Sequence, residues 1–306
     1  MRFSLIYAAA FVLGVPTVLG GCGASSPPNP SGVAGGEPLS APEALDISRT
    51  HYLPGERMEF EMSLHGIVGG RAQLAVGEPG DVDGREIIIV RSQLESAGAV
   101  SVFKVIRDDV VSWIDVESGL PVYLKADVKF GEKEAQIETR FSDGKTGSFT
   151  VEYQRSGRRT RTQFQLMPTN RAAFDGHSIL GALRSWDEPE GTHAFFYVLS
   201  GRRLWHNTIR FTRREKITTT LGRTAAIRID GVAKRLRSNL DEETRKKPRH
   251  YTLWLSDDAE RRPLLVSGKT EYGDVRVELV SYSRPEPLVG RAAPTKTTPA
   301  GSRRRR

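Results

Sequence analysis

The 306-residue chain contains one cysteine and six histidines. A lone thiol cannot build an internal disulfide framework, a CxxC redox centre or a cysteine-rich zinc site. The histidines (His51, His65, His177, His193, His206 and His250) make no HxH or HExxH spacing, so no metal site is expected. After the N-terminal residues, no stretch approaches the roughly 18 apolar residues of a membrane-spanning helix, which excludes a polytopic membrane protein. Catalytic signatures are equally scarce: there is no P-loop, no G-x-G-x-x-G after a strand and no G-x-S-x-G elbow. Nucleotide chemistry therefore has no support, no cofactor is implied, and the chain reads as non-catalytic.

Two local clusters carry suggestive residue types. Asp175, His177 and Ser178 are those of a hydrolytic triad, but residues this close at a helix start cannot all converge on one another. Helix capping is the better reading. Asp81-Val82-Asp83-Gly84 resembles the start of a calcium loop, yet the twelfth position, where such a loop needs Glu, is Ser92. A turn is expected there. An enzyme acting on glycan or peptide would need two carboxylates about 5–10 Å apart across a cleft, and sequence alone cannot place such a pair.

What is present begins at the N-terminus. Met1 and Arg2 precede an apolar run of about 15 residues and a small-residue end, Leu19-Gly20-Gly21-Cys22. This arrangement resembles a bacterial lipoprotein signal with its lipobox, with residues 1–21 as signal peptide and Cys22 as the lipidated first residue of the mature chain. Acyl burial contributes about 0.8 kcal/mol per CH2, so the two or three chains typical of such an anchor hold permanently. Gly23 is not the aspartate associated with inner-membrane retention. The resemblance thus implies an outer-membrane lipoprotein of the bacterial cell envelope, periplasm-facing and partnered to the membrane through its anchor.

Residues 22–47 are rich in Gly, Pro, Ser and Ala and offer little to bury, as expected of a flexible tether. Residues 284–306 lack periodicity and end in Arg303-Arg304-Arg305-Arg306, a disordered basic tail. Of the formal charge of +8, this tail supplies +6, with seven basic residues and one acidic, so the high pI advertises the tail. An exported chain meets little nucleic acid, and none is expected as a partner. Anionic lipid or an acidic cell-wall polymer suits the tail's charge better.

Between them, residues 48–283 alternate with period two. Met58, Phe60, Met62 and Leu64 share one side of a strand, and after a glycine-rich turn Ala72, Leu74 and Val76 share one side of the next. Pro121–Phe130 alternates cleanly, as does the run through Val275, Val277 and Leu279. Further candidates include Val102–Arg107, Val110–Val116, Trp205–Phe211 and Lys216–Leu221, with turns at Asp83-Gly84, Asp143-Gly144 and Gly273-Asp274. The expected fold is all-β and mainly antiparallel: a strongly curved sheet, half-barrel or barrel-like sandwich with one short helix at about 175–186, where Ile179, Leu183 and Trp186 fall at helical spacing. The helix divides a single β-rich domain into two halves.

Three segments carry a family resemblance. Leu53-Pro54-Gly55-Glu56 followed by a strand and Leu64-His65-Gly66-Ile67-Val68-Gly69-Gly70-Arg71-Ala72 is similar to the opening hairpin of a bacterial exported family. Trp254-Leu255-Ser256-Asp257-Asp258 through Pro263 resembles its closing signature, and Asp175 through Ser178 to Leu183-Arg184 its helix. The family is domain of unknown function 3108, and it implies an exported, mostly β module whose biochemical role is open. Arg262 and His177 depart from its usual pattern. Candidate ligand-binding residues are Asp258, Arg261, Trp254 and Arg184, with the Asp/Arg pair orienting a polar head at a cavity mouth; a turn-building role for Asp258 is the alternative. Two functions remain open: a non-catalytic module binding lipid or another amphipathic ligand, or an envelope scaffold or assembly factor binding a protein or cell-wall partner.

Overall fold

The structure, a computed structural model, describes residues 43–45, 49–98, 101, 105–141, 148–155, 157–165, 173–237, 239–270 and 273–284. The signal peptide, Cys22, most of the tether, the turn at Asp143-Gly144 and the tail beyond Arg284 lie outside these residues.

In chain order the strands are β1 (Glu43–Ala44), β2 (Arg57–Leu64), β3 (Ile67–Val76), β4 (Gly80–Val82), β5 (Arg85–Ser96), β6 (Ile106–Asp115), β7 (Pro121–Phe130), β8 (Lys133–Phe141), β9 (Ser148–Arg155), β10 (Arg158–Gln165), β11 (Ala173–Phe174), β12 (His193–Ser200), β13 (Arg203–Thr219), β14 (Gly222–Arg235), β15 (Arg249–Ser256), β16 (Pro263–Thr270) and β17 (Gly273–Ser283). Helix α1 is Gly176–Ser185.

All strands belong to one large sheet, mostly antiparallel and not closed. Its order is that of a long meander. From β10 it runs back through β9, β8, β7 and β6 to β5 and β3, then β2, and β2 pairs with β17. From β17 it runs back through β16, β15, β14 and β13 to β12. The β2–β17 ladder is therefore the seam joining the two sequence halves. Glu43–Ala44, within the segment read as tether, pairs in parallel with the outer edge of β12, and Leu45 packs against the core.

Alternation in the sequence becomes burial in the sheet. Met58, Phe60, Met62, Ala72, Leu74 and Val76 are buried, while Arg71, Gln73 and Ala75 between them are exposed. Two pairs of expected strands run together where they are described. Residues 102–104 of the expected Val102–Arg107 lie outside the described residues, and its end continues into most of Val110–Val116 as β6. Trp205–Phe211 and most of Lys216–Leu221 are both within β13. Asp108-Asp109 breaks the apolar pattern but not β6: Asp109 faces outward to Arg91 and Gln93, and Asp108 turns inward. Likewise Thr212 to Glu215 interrupts the pattern of β13 without ending it. The ladder to β14 shifts register between Phe211 and Arg213, and the polar residues are held by partners including Asp230, Asp257 and Trp254. At Asp83-Gly84, both residues take positive φ (53° and 78°), the geometry of a two-residue hairpin turn between β4 and β5.

The helix is inside. Every residue from Gly176 to Arg184 is buried, and its apolar side chains join one core with the inner residues of both sheet halves. At its N-terminus, the Asp175 carboxylate accepts the Ser178 backbone N–H at 2.7 Å, while the Ser178 hydroxyl accepts the Asp175 N–H at 2.9 Å. This reciprocal capping box satisfies two otherwise orphaned donors. Trp186 caps the other end.

Candidate functional site

Arg184 is among the largest fully buried side chains of the protein, and a buried guanidinium must be paired and hydrogen-bonded to be tolerated. Its partner is Glu56. Nη1 and Nη2 donate to the two carboxylate oxygens at 2.6 and 3.0 Å, a bidentate pair with both side chains fully enclosed. Nη2 also donates to the Glu260 carbonyl at 2.9 Å and Nε to the Arg261 carbonyl at 3.2 Å. The remaining acceptor capacity of Glu56 goes to the Leu53 N–H and the Tyr282 hydroxyl, both at 3.1 Å. Burial, with Glu56 and Glu260 nearby, pushes the Tyr282 phenol up to about 12.

Each partner is aimed by local chemistry. Leu53-Pro54-Gly55-Glu56 forms a turn closed by Glu56 N–H to the Leu53 carbonyl at 3.0 Å, with Gly55 at φ 76°, the conformation that favours glycine at the third turn position. That turn points Glu56 inward just before β2. In the β15–β16 connection, one Asp258 oxygen accepts from the Ser256 hydroxyl and from the backbone N–H groups of Glu260 and Arg261 at 2.7, 3.0 and 3.1 Å. Its other oxygen takes Arg262 Nη2 at 2.8 Å. Burial pushes the Asp258 carboxyl up, but the bonds from Ser256 and Arg262 outweigh it and hold the group below the usual carboxylate range. The turn so fixed presents the Glu260 and Arg261 carbonyls to Arg184.

The same helix places His177 between two strands. Its Nδ1 lies 2.7 Å from Ser112 Oγ and its Nε2 2.8 Å from Ser92 Oγ, all three side chains buried. In the neutral ring one nitrogen donates and the other accepts. The Asp175, His177 and Ser178 side chains thus serve a cap and a cross-strand bridge, not a shared reaction centre.

Of the four residues singled out in the sequence, three meet. Arg184 touches the turn that Asp258 organises, and Arg261 leaves that turn to pair with Asp187 at 2.6 Å. Asp258 bonds the Arg261 backbone N–H and pairs through its side chain with Arg262. Trp254 goes elsewhere: its indole N–H donates to Glu215 at 2.8 Å, and the Arg228 guanidinium lies over its ring.

A hollow of about 680 Å³ lies on the solvent-facing side of β13–β17. Strand register arranges its walls in rows. One row runs His193, Arg210, Asp230, Thr252, Ser267, Arg276 across β12 to β17; beside it Thr208, Val232 and His250 follow one another across β13 to β15, and Lys269 faces Asp274 across β16 and β17. Asp230 is saturated, accepting from Thr212, Thr252 and Arg228 at 2.7, 2.6 and 3.0 Å. Arg210 and Lys269 are exposed and have no ion pair among the described residues.

The family profile described as a protein of unknown function, DUF3108, matches residues 59–280. The chain belongs to this family. Similar solved structures include a β-barrel-like protein of DUF1849 from Brucella abortus, 10% identical, with a TM-score of 0.49 over 76% of this chain and 99% of that one. An exported protein with a YmcC-like fold from Bacteroides fragilis is 6% identical, with a TM-score of 0.34 over 78% of this chain and all of that one. A lipoprotein from Parabacteroides distasonis is 8% identical, with a TM-score of 0.32 over 79% and all of the respective chains. No curated protein matches.

In this DUF3108 chain the three segments that carried the resemblance converge on one buried ion pair: the opening turn supplies Glu56, the helix Arg184 and the closing turn two carbonyls. Arg262, one of the two departures, bridges Asp258 and Glu260 and lies over the Tyr282 ring at 5.6 Å. His177, the other, occupies the serine bridge. Glu56 and Tyr282 were not singled out from sequence, and no local signal marks them; an acid in a Pro-Gly turn and a tyrosine in the last strand become partners only through the β2–β17 seam.

Proposed function

We propose that this protein is an exported, lipid-anchored and non-catalytic scaffold of the bacterial cell envelope, engaging a protein or cell-wall partner through the outside of its sheet. One observation carries the choice. The inside of the sheet, among the described residues, carries α1 within one apolar cluster, a second apolar cluster centred on β7–β9, and the Glu56–Arg184 pair, whereas the 680 Å³ hollow opens outward. A carrier of lipid or amphipathic ligand needs an accessible apolar cavity of several hundred cubic ångströms. Among the described residues, the packing around α1 favours scaffolding over carriage.

The anchor rests on Leu19-Gly20-Gly21-Cys22, and outer-membrane placement on Gly23. Cys22→Ser is expected to abolish labelling by a fatty-acid probe; persistent labelling overturns the anchor. Cross-linking in cells is expected to trap an envelope component. Lipid that copurifies stoichiometrically with the tail-less protein in native mass spectrometry would instead restore the carrier.

A further inference from the structure

Resting on the scaffold reading, we propose that the outer face of β12–β17 is a binding site for peptidoglycan, taking its sugar rings together with the carboxylates of its stem peptides. Neighbouring strands are about 4.8 Å apart, so Arg210 and Arg276, four strands from one another in the same row, stand roughly 19 Å apart across the hollow. Between them the row offers the Ser267 hydroxyl, with the Thr252 hydroxyl donated to Asp230 and left to accept, and beside it lie Thr208 and Lys269. This is a hydroxyl-lined trough with cations at both ends, complementary to an extended polar chain carrying carboxylates.

At the β12 edge the trough meets aromatic rings. Phe195 is directly opposite Thr208 in the ladder, and Tyr197 is opposite His206. Phe195 and Tyr197 are half-buried and meet edge-on at 6.1 Å, and His206 lies 5.5 and 5.3 Å from their centroids. The exposed parts of these rings give a sugar ring an apolar surface, while the neighbouring hydroxyls and cations meet its polar edge. The acids on this face leave the cationic balance standing. Asp230 is already committed to Arg228 and two threonines, and Asp274, opposite Lys269, forms no ion pair with it. Arg276 keeps only a 3.5 Å contact with Glu278. An ordinary polyanion would use the cations alone; the aromatic edge makes the glycan the better fit.

Co-sedimentation of the purified protein with protein-free peptidoglycan sacculi tests the site. The double variant Arg210→Glu/Lys269→Glu, at exposed positions, is expected to bind about tenfold more weakly with an unchanged melting temperature, and Phe195→Ala about threefold more weakly. Replacing Arg303, Arg304, Arg305 and Arg306 by serine is expected to leave binding within twofold. Binding that survives the charge reversal, or that disappears with the tail substitution alone, overturns the proposal. Absence of sacculus binding by the unmodified protein overturns it too; if cross-linking in cells still traps an envelope protein, the scaffold reading stands without the glycan.

Discussion

Neutralising either member of the Glu56–Arg184 pair should be among the most damaging conservative changes in this protein. Arg184→Met would strand a buried carboxylate and remove the donors from the Glu260 and Arg261 carbonyls. Glu56→Gln would strand a buried guanidinium while keeping an acceptor for the Leu53 N–H and the Tyr282 hydroxyl. Leaving one charge of a buried pair uncompensated costs about 3–5 kcal/mol. At roughly 2–4 °C per kcal/mol for a domain of this size, each single variant should melt about 10 °C or more below the parent. The double variant buries neither charge. Its residual cost is the two deprived carbonyls, about 1 kcal/mol each. The double should thus be more stable than the sum of the singles predicts by about 2 kcal/mol or more, within the range found for contacting groups. Urea unfolding of all four proteins measures this cycle, with a constant m-value as the check on two-state behaviour. Singles that cost under about 1 kcal/mol, or additivity to within about 0.5 kcal/mol, would refute the account of Arg184 as a buried, fully coupled lock.

Gly181→Ala should destabilise even though alanine is favoured over glycine in a helix by about 1 kcal/mol. The new Cβ would lie 2.3 Å from Thr50 Oγ1 and 2.7 Å from Tyr52 Cε2, and a more stable variant by thermal melting would mean that residues 50–52 do not cross the helix there. Asp108 is buried with neither carboxylate oxygen hydrogen-bonded among the described residues, and burial pushes its pKa well up. A native-state pKa above the unfolded one gives stability that is complete below the unfolded value, about 3.9, and is lost as pH rises through the native value. The urea midpoint should therefore fall with rising pH more steeply in the parent than in Asp108→Asn, and parallel profiles would contradict this. Tyr282 follows the same sign at the alkaline end. With its phenol at about 12 against an ordinary value near 10, the parent should lose stability from about pH 10 upward through 12, and Tyr282→Phe should lose less over that window.

The helix was legible to within a residue or so because its signals are local: Asp175 or Ser178 could cap it, and Ile179, Leu183 and Trp186 fall at helical spacing; the structure assigns the cap to Asp175 and Ser178 to its capping box. Alternating strands such as Pro121–Phe130 were legible for the same reason, since one wet face stamps its period on the sequence. Where β6 and β13 read as two strands each, the interruption was chemical and not conformational. Asp108-Asp109 and Thr212 to Glu215 find partners that keep the backbone extended. The site was legible only in part. Arg184, Asp258 and Arg261 could be suspected from the segments that contain them, but the choice of Glu56 as counter-ion depends on β17 pairing with β2. The outer hollow was invisible, since Arg210, Thr252, Ser267 and Arg276 each look like ordinary outward-facing strand residues until register sets them in a row.

That dependence on the seam gives the buried pair a role that its energy does not. A buried ion pair is often no more stabilising than a well-packed apolar replacement, so stability is a weak reason for placing one here. Position is the stronger reason. Glu56 immediately precedes β2, Tyr282 lies near the end of β17, and Glu260 and Arg261 sit in the β15–β16 connection, so the donors and acceptors around Arg184 come from three separate places in the sequence. All can be satisfied only when the two halves have met along β2–β17 in the right register and α1 is inside. A two-residue slip along that seam would keep apolar side chains facing inward, because side-chain direction repeats every second residue. It would also carry Glu56 and Tyr282 about 7 Å apart along the strand direction, well beyond hydrogen-bond reach. Apolar packing tolerates that slip; the Tyr282–Glu56 bond, and an Arg184 held at once by Glu56 from one half and the β15–β16 carbonyls from the other, do not. The pair and its partners therefore discriminate the native seam from its nearest competitors, alongside the His177 bridge that ties α1 to Ser92 and Ser112.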